Sequence, residues 1–338
     1  MKSNPIILGI ESSCDDTSAA ILKGTKILSN KIANQQIHSR YGGVVPELAS
    51  RAHQQNIIPV VDAAIKDANI KKEDINAVAY TKGPGLLGSL LVGGSFAKSF
   101  AMGMNIPLIS VNHMKGHILS HFIDEGNKTP KFPFLCLTVS GGHTQIVKVK
   151  NTNNMSIIGT TIDDAAGEAF DKSAKILGLP YPGGPYIEKY ALRGDKLKFK
   201  FGKPKVKGLN FSFSGLKTSI LYSIQRNLRN DENFISKNLE DLCASIQSSI
   251  VTILIEKIEK AANETGIKEI VIAGGVSANK YLRNKLNTIS RINKYNLYIP
   301  KFEYCTDNAA MIAIAGYFKY IDEDFANLKE SSKASLAF

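Results

Sequence analysis

The chain has 338 residues, of which 43% are apolar, and this length and composition exclude global disorder and favour two lobes. Its four cysteines are scattered, which argues against a disulfide framework or a thiolate zinc site. The apolar run "PIILGI" is too brief for a signal peptide, and no stretch approaches the ~18 apolar residues of a membrane span. We therefore expect a cytoplasmic protein that has no contact with the membrane.

Positive charge dominates the ionisable residues, with a formal net charge of +12. Such an excess favours a polyanionic partner, although an A/T-biased coding sequence rich in Lys, Asn and Ile would produce the same charge. The segment "KLKFKFGKPKVKG" is the most concentrated source. Its lysines and aromatic residues suit a nucleic-acid backbone and a stacked base, whereas the alternative is a solvated edge strand protected by lysines.

The first half of the chain begins with three predicted strands and two turns over residues 5–32. A helix from about Pro46 to Asn69 and a strand at "INAVAYT" follow, and then a buried helix over "GLLGSLLVGGSFAKSF" and the strand "IPLISV". The histidine segment "VNHMKGHILSHF" and a polar linker end this half.

The second half repeats the pattern, starting with the hairpin "FLCLTVSGGHTQIVKVK". It continues with a helix from about Ile235 to Glu264, the strand "EIVIAGG", a helix at "SANKYLRNKL", the strand "YNLYIP" and a last helix over about 307–322. We predict two similar α/β lobes, 1–132 and 133–338, with the last helix returning to a nucleotide cleft between them.

Three turns rich in Gly and Ser favour nucleotide binding. Backbone N–H groups and hydroxyls of "ESSCDDT" and "SGGHT" suit a phosphate, and the glycines of "IAGGVSAN" let a base approach the backbone. The segment "GPGLLG" fits the dinucleotide-binding pattern, but no acidic residue follows between Ile75 and Ile123. Its glycines are better explained by tight helix packing.

The histidine segment predicts a metal site. His113, His117 and His121 share one helix face, and the first two can reach one ion. A zinc protease needs a general base after its first histidine, where this chain has Met114, so the protease interpretation fails. His121 or a distant carboxylate such as Asp307 would complete an open iron or zinc site. Alternatively, Asp307 is only a helix N-cap.

The chain resembles the tRNA adenosine threonylcarbamoyltransferases, in particular the bacterial TsaD branch, a family once described as O-sialoglycoprotein endopeptidases. The motifs that carry the resemblance follow the family's order over some 300 residues, and they are "GIESSCDDTS", "KGPGLLGSLLVG", "NHMKGH", "VSGGHTQ", "IDDAAGEAFDK", "LGLPYPGGP", "FSFSGLKT", "IAGGVSAN" and "CTDNAAMIA".

The resemblance implies an actin-like or Hsp70-like ATPase (ASKHA) fold with two α/β lobes and a divalent metal ion, Fe²⁺ as first choice and Zn²⁺ as the alternative. It implies transfer of the threonylcarbamoyl group of threonylcarbamoyl-AMP to the exocyclic amine of the adenosine following the anticodon, in tRNAs reading codons that begin with A. The implied metal ligands are His113, His117 and Asp307. The implied adenylate-binding residues are Thr138, Val139, Ser140, Gly141, Gly142, Asp171, Gly184, Glu188 and Asn279.

The chain departs from the family at two positions: Lys115 replaces the usual Glu of the histidine motif, and Glu188 replaces the usual Asp. Glu11 and Asp15 are candidate general bases. His143 is a candidate hydrogen-bond donor to the phosphate, or alternatively it caps its own turn. The implied partners are tRNA, a TsaB-type paralogue, a TsaE-type ATPase and a separate synthase for the adenylate. A non-enzymatic nucleotide-binding scaffold and a sugar kinase or ATPase of the same fold stay open as alternatives.

Overall fold

The computed structural model describes residues 4–126 and 128–338, except for the side chains of Ser39 and Arg40. The chain forms two compact units. The first consists of the described residues up to Thr129 together with Pro300–Phe338, and the second is Pro130–Ile299.

The strands are β1 (Ile6–Glu11), β2 (Thr17–Lys23), β3 (Lys26–Ala33), β4 (Ala77–Gly83), β5 (Leu108–Asn112), β6 (Phe134–Val139), β7 (Thr144–Val149), β8 (Met155–Thr160), β9 (Glu269–Ala273) and β10 (Asn296–Tyr298). The α-helices are α1 (Pro46–Asp67), α2 (Leu87–Met104), α3 (His113–Leu119), α4 (Ala166–Ile176), α5 (Gly183–Ala191), α6 (Ser214–Leu228), α7 (Phe234–Thr265), α8 (Lys280–Asn293) and α9 (Ala309–Ile321).

The first unit is built on a sheet of order β3-β2-β1-β4-β5. β1 pairs antiparallel with β2 and parallel with β4. Side chains alternate across a strand, so Leu8 and Ile10 join the apolar core with α1 and α2, while Gly9 faces α9. A Cβ at Gly9 would lie 2.8 Å from Ala313 Cβ, so the missing side chain lets α9 pack directly on the sheet.

The second unit has a sheet of order β10-β9-β6-β7-β8. Here β6 pairs antiparallel with β7 and parallel with β9, which repeats the pairing of β1 with β2 and β4. Its core combines β6 and β7 with apolar side chains of α4 to α8. The two units therefore follow one plan, and the prediction of two similar α/β units is confirmed.

The last helix begins at Ala309 because Asn308 caps it. Asn308 Oδ1 accepts a hydrogen bond from the backbone N–H of Met311. The cap expected at Asp307 is thus supplied by the next residue, which leaves the Asp307 carboxylate available for another role. α9 packs on β1 and β4 and belongs to the first unit. Within the described part of the chain, no helix has both the length and the apolarity that crossing a membrane requires.

Candidate metal centre

The histidine pair lies on a short helix that begins directly at the end of β5. Asn112 caps α3, since its Oδ1 accepts hydrogen bonds from the backbone N–H groups of Met114 and Lys115. His113 and His117 are one helical turn apart and both buried. A Cβ at Gly116 would lie 3.1 Å from Ile312, so this glycine lets α3 approach α9 closely. The predicted helix and the shared face of the two histidines are therefore present.

Asp307 completes a cluster of three ligand atoms within the first unit. Its Oδ1 lies 3.3 Å from His113 Nε2 and 3.2 Å from His117 Nε2. Two metal bonds of about 2.1 Å at a tetrahedral angle place their ligand atoms about 3.4 Å apart, so each of the two aspartate–histidine separations fits one ion. All three ligand atoms lie within 4.8 Å of one another. Among the described residues, the three ligand atoms that converge belong to His113, His117 and Asp307. His121 lies on the following 3-10 turn, Ser120–Phe122, and is not part of the cluster.

A buried carboxylate orients the first histidine. Glu11, at the end of β1, has its Oε2 3.1 Å from His113 Nδ1. Its two oxygens also accept hydrogen bonds from the Thr81 hydroxyl at 2.6 Å and the Ser13 backbone N–H at 2.5 Å. A carboxylate held in this way can only accept from the imidazole. In a neutral His113 the proton therefore sits on Nδ1, and the Nε2 lone pair is directed toward Asp307.

The electrostatics of the cluster favour a cation. Burial alone disfavours the imidazolium of His113, but the Asp307 and Glu11 carboxylates outweigh it and raise the His113 pKa well above its usual value. Burial likewise opposes ionisation of Asp307 and Glu11, yet the His113 charge keeps the pKa of each carboxyl below its usual value. A proton on His113 or a bound metal ion would each balance the negative charge of the Asp307 and Glu11 carboxylates, so proton and metal compete for the site.

The first turn, between β1 and β2, is acidic. Burial, and then the negative charges of Asp15, Asp307 and Glu11, raise the pKa of Asp16 to about 6, although a hydrogen bond from Asn34 opposes the shift. The Ser13 N–H in this turn already donates to Glu11. Asp15 is half-buried in the same turn. These negative charges oppose a phosphate without a counter-ion in the first turn, and the phosphate expected there from the Ser-rich sequence stays a prediction.

The second turn, Ser140–His143, joins β6 to β7 in the second unit. It is closed by a hydrogen bond from the Ser140 N–H to the His143 carbonyl at 2.8 Å and by one from the His143 N–H to the Ser140 hydroxyl at 3.1 Å. Gly141 and Gly142 are exposed, and a Cβ on either would meet nothing within 4 Å. Thr138 and Val139 are the buried last residues of β6. The turn thus has open space in front of two glycine backbones.

The remaining residues predicted to bind the adenylate lie on α5 or next to it. Asp171 Oδ1 accepts from the Gly183 N–H at 2.7 Å, beside Gly184, and burial raises the Asp171 pKa against the effect of these N–H groups. Four residues after Gly184, Glu188 Oε1 accepts from the Lys280 N–H at 2.5 Å. Asn279, the N-cap of α8, precedes Lys280 directly. The structure therefore brings Asp171, Gly184, Glu188 and Asn279 together around one helix.

Local sequence pattern does not reveal Thr81 and Ser13 as hydrogen-bond donors to Glu11. Thr81 lies near the end of β4, and β4 is parallel to β1, so both strands deliver polar residues to one edge of the sheet. The glycines of "GPGLLG" let neighbouring segments of the first unit pack closely on this loop, which explains them without a dinucleotide. A Cβ at Gly83 would clash with the Lys333 carbonyl, and one at Gly85 would lie 2.8 Å from Ser13 Cβ.

Comparisons with a family model and with individual proteins give the same family name. The family model for tRNA N6-adenosine threonylcarbamoyltransferase matches residues 26–314. Proteins of that name from Christiangramia forsetii and Riemerella anatipestifer are 62% and 61% identical to the chain, over 98% and 97% of both the chain and the relative.

Solved structures define the fold. Full-length HypF has a TM-score of 0.62 at 15% identity, covering 96% of this chain and 47% of HypF. The (R)-2-hydroxyglutaryl-CoA dehydratase component A of Acidaminococcus fermentans has a TM-score of 0.54 at 17% identity, covering 94% of this chain and 99% of that one. Both have the actin-like ATPase fold, which confirms the predicted fold class. Given sequence identity above 60% over nearly the whole length, the chain belongs to the family of tRNA N6-adenosine threonylcarbamoyltransferases.

Proposed function

We infer that this transferase moves the threonylcarbamoyl group of threonylcarbamoyl-AMP to the exocyclic amine of adenosine 37 in tRNAs reading codons that begin with A. AMP is the leaving group. Beyond family membership, the observation that carries this inference is the buried convergence of His113, His117 and Asp307. A scaffold or a sugar kinase of the same fold has no need of these three ligands in one cluster.

The three side chains hold a divalent metal ion in this proposal. Two histidines and one carboxylate with open positions are typical of non-haem iron, and zinc accepts a similar set, so Fe²⁺ is the first choice and Zn²⁺ the alternative. When bound, the ion supplies a Lewis acid and template for polarising the donor carbonyl. The fit rests on the ligand separations of 3.2 and 3.3 Å and on the orientation of His113 by Glu11.

The chain's own groups mainly position the reactants. The donor is a mixed anhydride, so AMP leaves readily, whereas an adenine amine is a weak nucleophile that gains most from exact placement. We assign the AMP phosphate to the turn Ser140–Gly142 with His143, and the adenosine to Thr138, Val139, Asp171, Gly184, Glu188 and Asn279. Both oxygens of Glu11 are engaged with donors, so Asp15 is the better candidate to accept the proton from the amine.

Companion proteins are also part of the proposal. The exposed face of α2 carries Leu87, Leu91 and Met102, and α1 beside it exposes Ile58. An apolar surface of this kind suits a protein partner, and we assign it to the TsaB-type paralogue. A TsaE-type ATPase and a separate synthase for the adenylate would act with them in the cytoplasm, where tRNA is modified.

In the test, threonylcarbamoyl-AMP and an unmodified tRNA transcript are added to the purified chain and its companion proteins. Mass spectrometry of the digested tRNA should show threonylcarbamoyladenosine in an amount matching the AMP released. AMP release without a modified nucleoside would overturn the transferase function. Phosphorylation of a small alcohol with ATP would identify the chain as a kinase instead.

A further inference from the structure

The segment 195–208, here called the lysine strap, is the most basic stretch of the chain. It contains six lysines against one aspartate, which accounts for five of the twelve net positive charges. All six lysines are exposed. The strap joins the region after α5 to that before α6 and contains neither helix nor strand, so the alternative interpretation as an edge strand does not hold.

The backbone of the lysine strap is fixed to the second unit. Phe199 and Phe201 pack against its apolar core, and the Phe199 ring meets Phe234 edge-on at 5.7 Å. The N–H of Gly202 donates to the Ser219 hydroxyl at 2.7 Å. The two half-buried aromatic rings therefore serve as anchors, which leaves less of each ring open for stacking a base. Lys200 lies between the two rings, and beyond them the Lys257 ammonium donates to the carbonyls of Val206 at 3.2 Å and Gly208 at 2.8 Å, beside the exposed Lys205 and Lys207.

The lysines of the strap differ in their partners. Lys198 pairs with Asp241 at 2.7 Å, and Lys203 pairs with Glu256. Within the part of the chain that the structure describes, Lys200, Lys205 and Lys207 pair with no carboxylate. Three uncompensated ammonium groups on a fixed backbone form a surface that is complementary to a polyanion.

The strap also begins beside the residues assigned to the adenylate. Lys196 Nζ lies 5.9 Å from the centre of the Tyr281 ring, next to Lys280, whose N–H is held by Glu188. This end of the strap therefore lies beside the residues assigned to the AMP part of the donor, which the tRNA must approach in order to react.

We propose that Lys200, Lys205 and Lys207 bind phosphates of the tRNA substrate and hold it against the second unit. This inference rests on the proposed function, because it takes tRNA as the polyanion. Lysine is a compact point charge without the planar geometry that reads a base, so the contact is independent of sequence. Residues 200 to 207 span at most about 25 Å when extended, which is long enough for several phosphates.

The test compares two triple variants that remove the same charge. Lys200→Gln/Lys205→Gln/Lys207→Gln removes the unpaired lysines of the strap, and Lys23→Gln/Lys26→Gln/Lys71→Gln removes three exposed lysines of the first unit. Affinity for an unmodified tRNA transcript is measured at several salt concentrations. Losing three phosphate contacts should weaken binding on the order of tenfold and lower the salt slope by about 2, whereas the control should match the wild type.

The kinetics separate binding from chemistry. The strap variant should raise KM for tRNA and leave kcat and the affinity for threonylcarbamoyl-AMP unchanged, with a wild-type melting temperature. Wild-type tRNA affinity and salt slope in the strap variant, or an equal loss in the control, would overturn the inference while transferase activity stands. If the wild type binds tRNA through the strap but makes no modified nucleoside, the proposed function fails and the binding surface remains.

Discussion

Glu11 and His113 are 102 residues apart in the chain, yet the Glu11 carboxylate contacts His113 Nδ1 at 3.1 Å in the buried interior of the first unit. This contact sets which imidazole nitrogen faces Asp307. Glu11→Gln keeps the shape but removes the charge that favours the required tautomer. We expect a loss of roughly 10- to 100-fold in metal affinity, as is typical of such outer partners.

A competition titration with a chelator measures this affinity. Glu47→Gln is the matched control, because Glu47 is exposed on α1 and, among the described residues, forms its ion pair with Arg51 at the surface. Unchanged affinity in Glu11→Gln would show that His113 is oriented by other means.

The ligand assignment predicts different results for two histidines of one segment. His117→Ala removes a ligand 3.2 Å from Asp307, so purified protein should lose its metal and its transferase activity. His121→Ala, one turn further along, should keep both. Metal analysis of the two proteins together with nucleoside analysis checks this, and metal loss in His121→Ala would contradict the assignment.

The raised His113 pKa predicts a pH dependence of metal binding. Below that pKa the imidazole is protonated in the metal-free protein, and the ion must displace the proton before it binds. The apparent affinity should therefore rise with pH by about tenfold per unit until the raised pKa is reached. Calorimetry in buffers of different ionisation enthalpy should detect the released proton. An affinity independent of pH from 6 to 8, about the usual range of a histidine, would contradict this.

The raised His113 pKa also predicts how the stability of the metal-free protein depends on pH. A histidine with a raised pKa in the folded state stabilises the protein fully below its unfolded pKa of about 6.5, and that contribution is lost as pH rises through the folded value. For the metal-free protein, the free energy of unfolding attributable to His113 should thus fall above pH 6.5. Denaturant titrations of the wild type and His113→Ala at two pH values check this, and parallel behaviour of the two proteins would refute it.

Two glycines provide a matched test of the packing on the first sheet. Gly9→Ala would place Cβ 2.8 Å from Ala313 on α9 and should destabilise the protein by about 1–3 kcal/mol. Gly103→Ala lies in the last turn of α2 with nothing within 4 Å, and should be neutral or stabilise by up to about 1 kcal/mol. Urea denaturation compares them, and equal effects would contradict the proposed close contact.

The sequence predicted those features that depend on local spacing. The interval of four residues places His113 and His117 on one helix face, and the repeated hairpin predicts the two sheets. Asp307 could not be separated from a helix cap by local pattern alone, because only the structure shows that Asn308 is the cap. The first turn predicts Glu11 as a general base, because the burial of Glu11 and its long-range contact with His113 are not visible in a single turn. Phe199 and Phe201 have the pattern of stacking residues, and only the core behind them reveals their anchoring role.

The discontinuity of the first unit has a consequence for the nascent chain. Residues 130–299 form a continuous unit that can fold as soon as it leaves the ribosome, whereas the sheet containing β1 waits for α9 to cover the face of Gly9. Until Asp307 is synthesised, the two histidines have no carboxylate between them. An interrupted chain would thus expose an uncovered sheet face and an incomplete set of the proposed metal ligands, and we expect only a chain translated beyond α9 to bind metal.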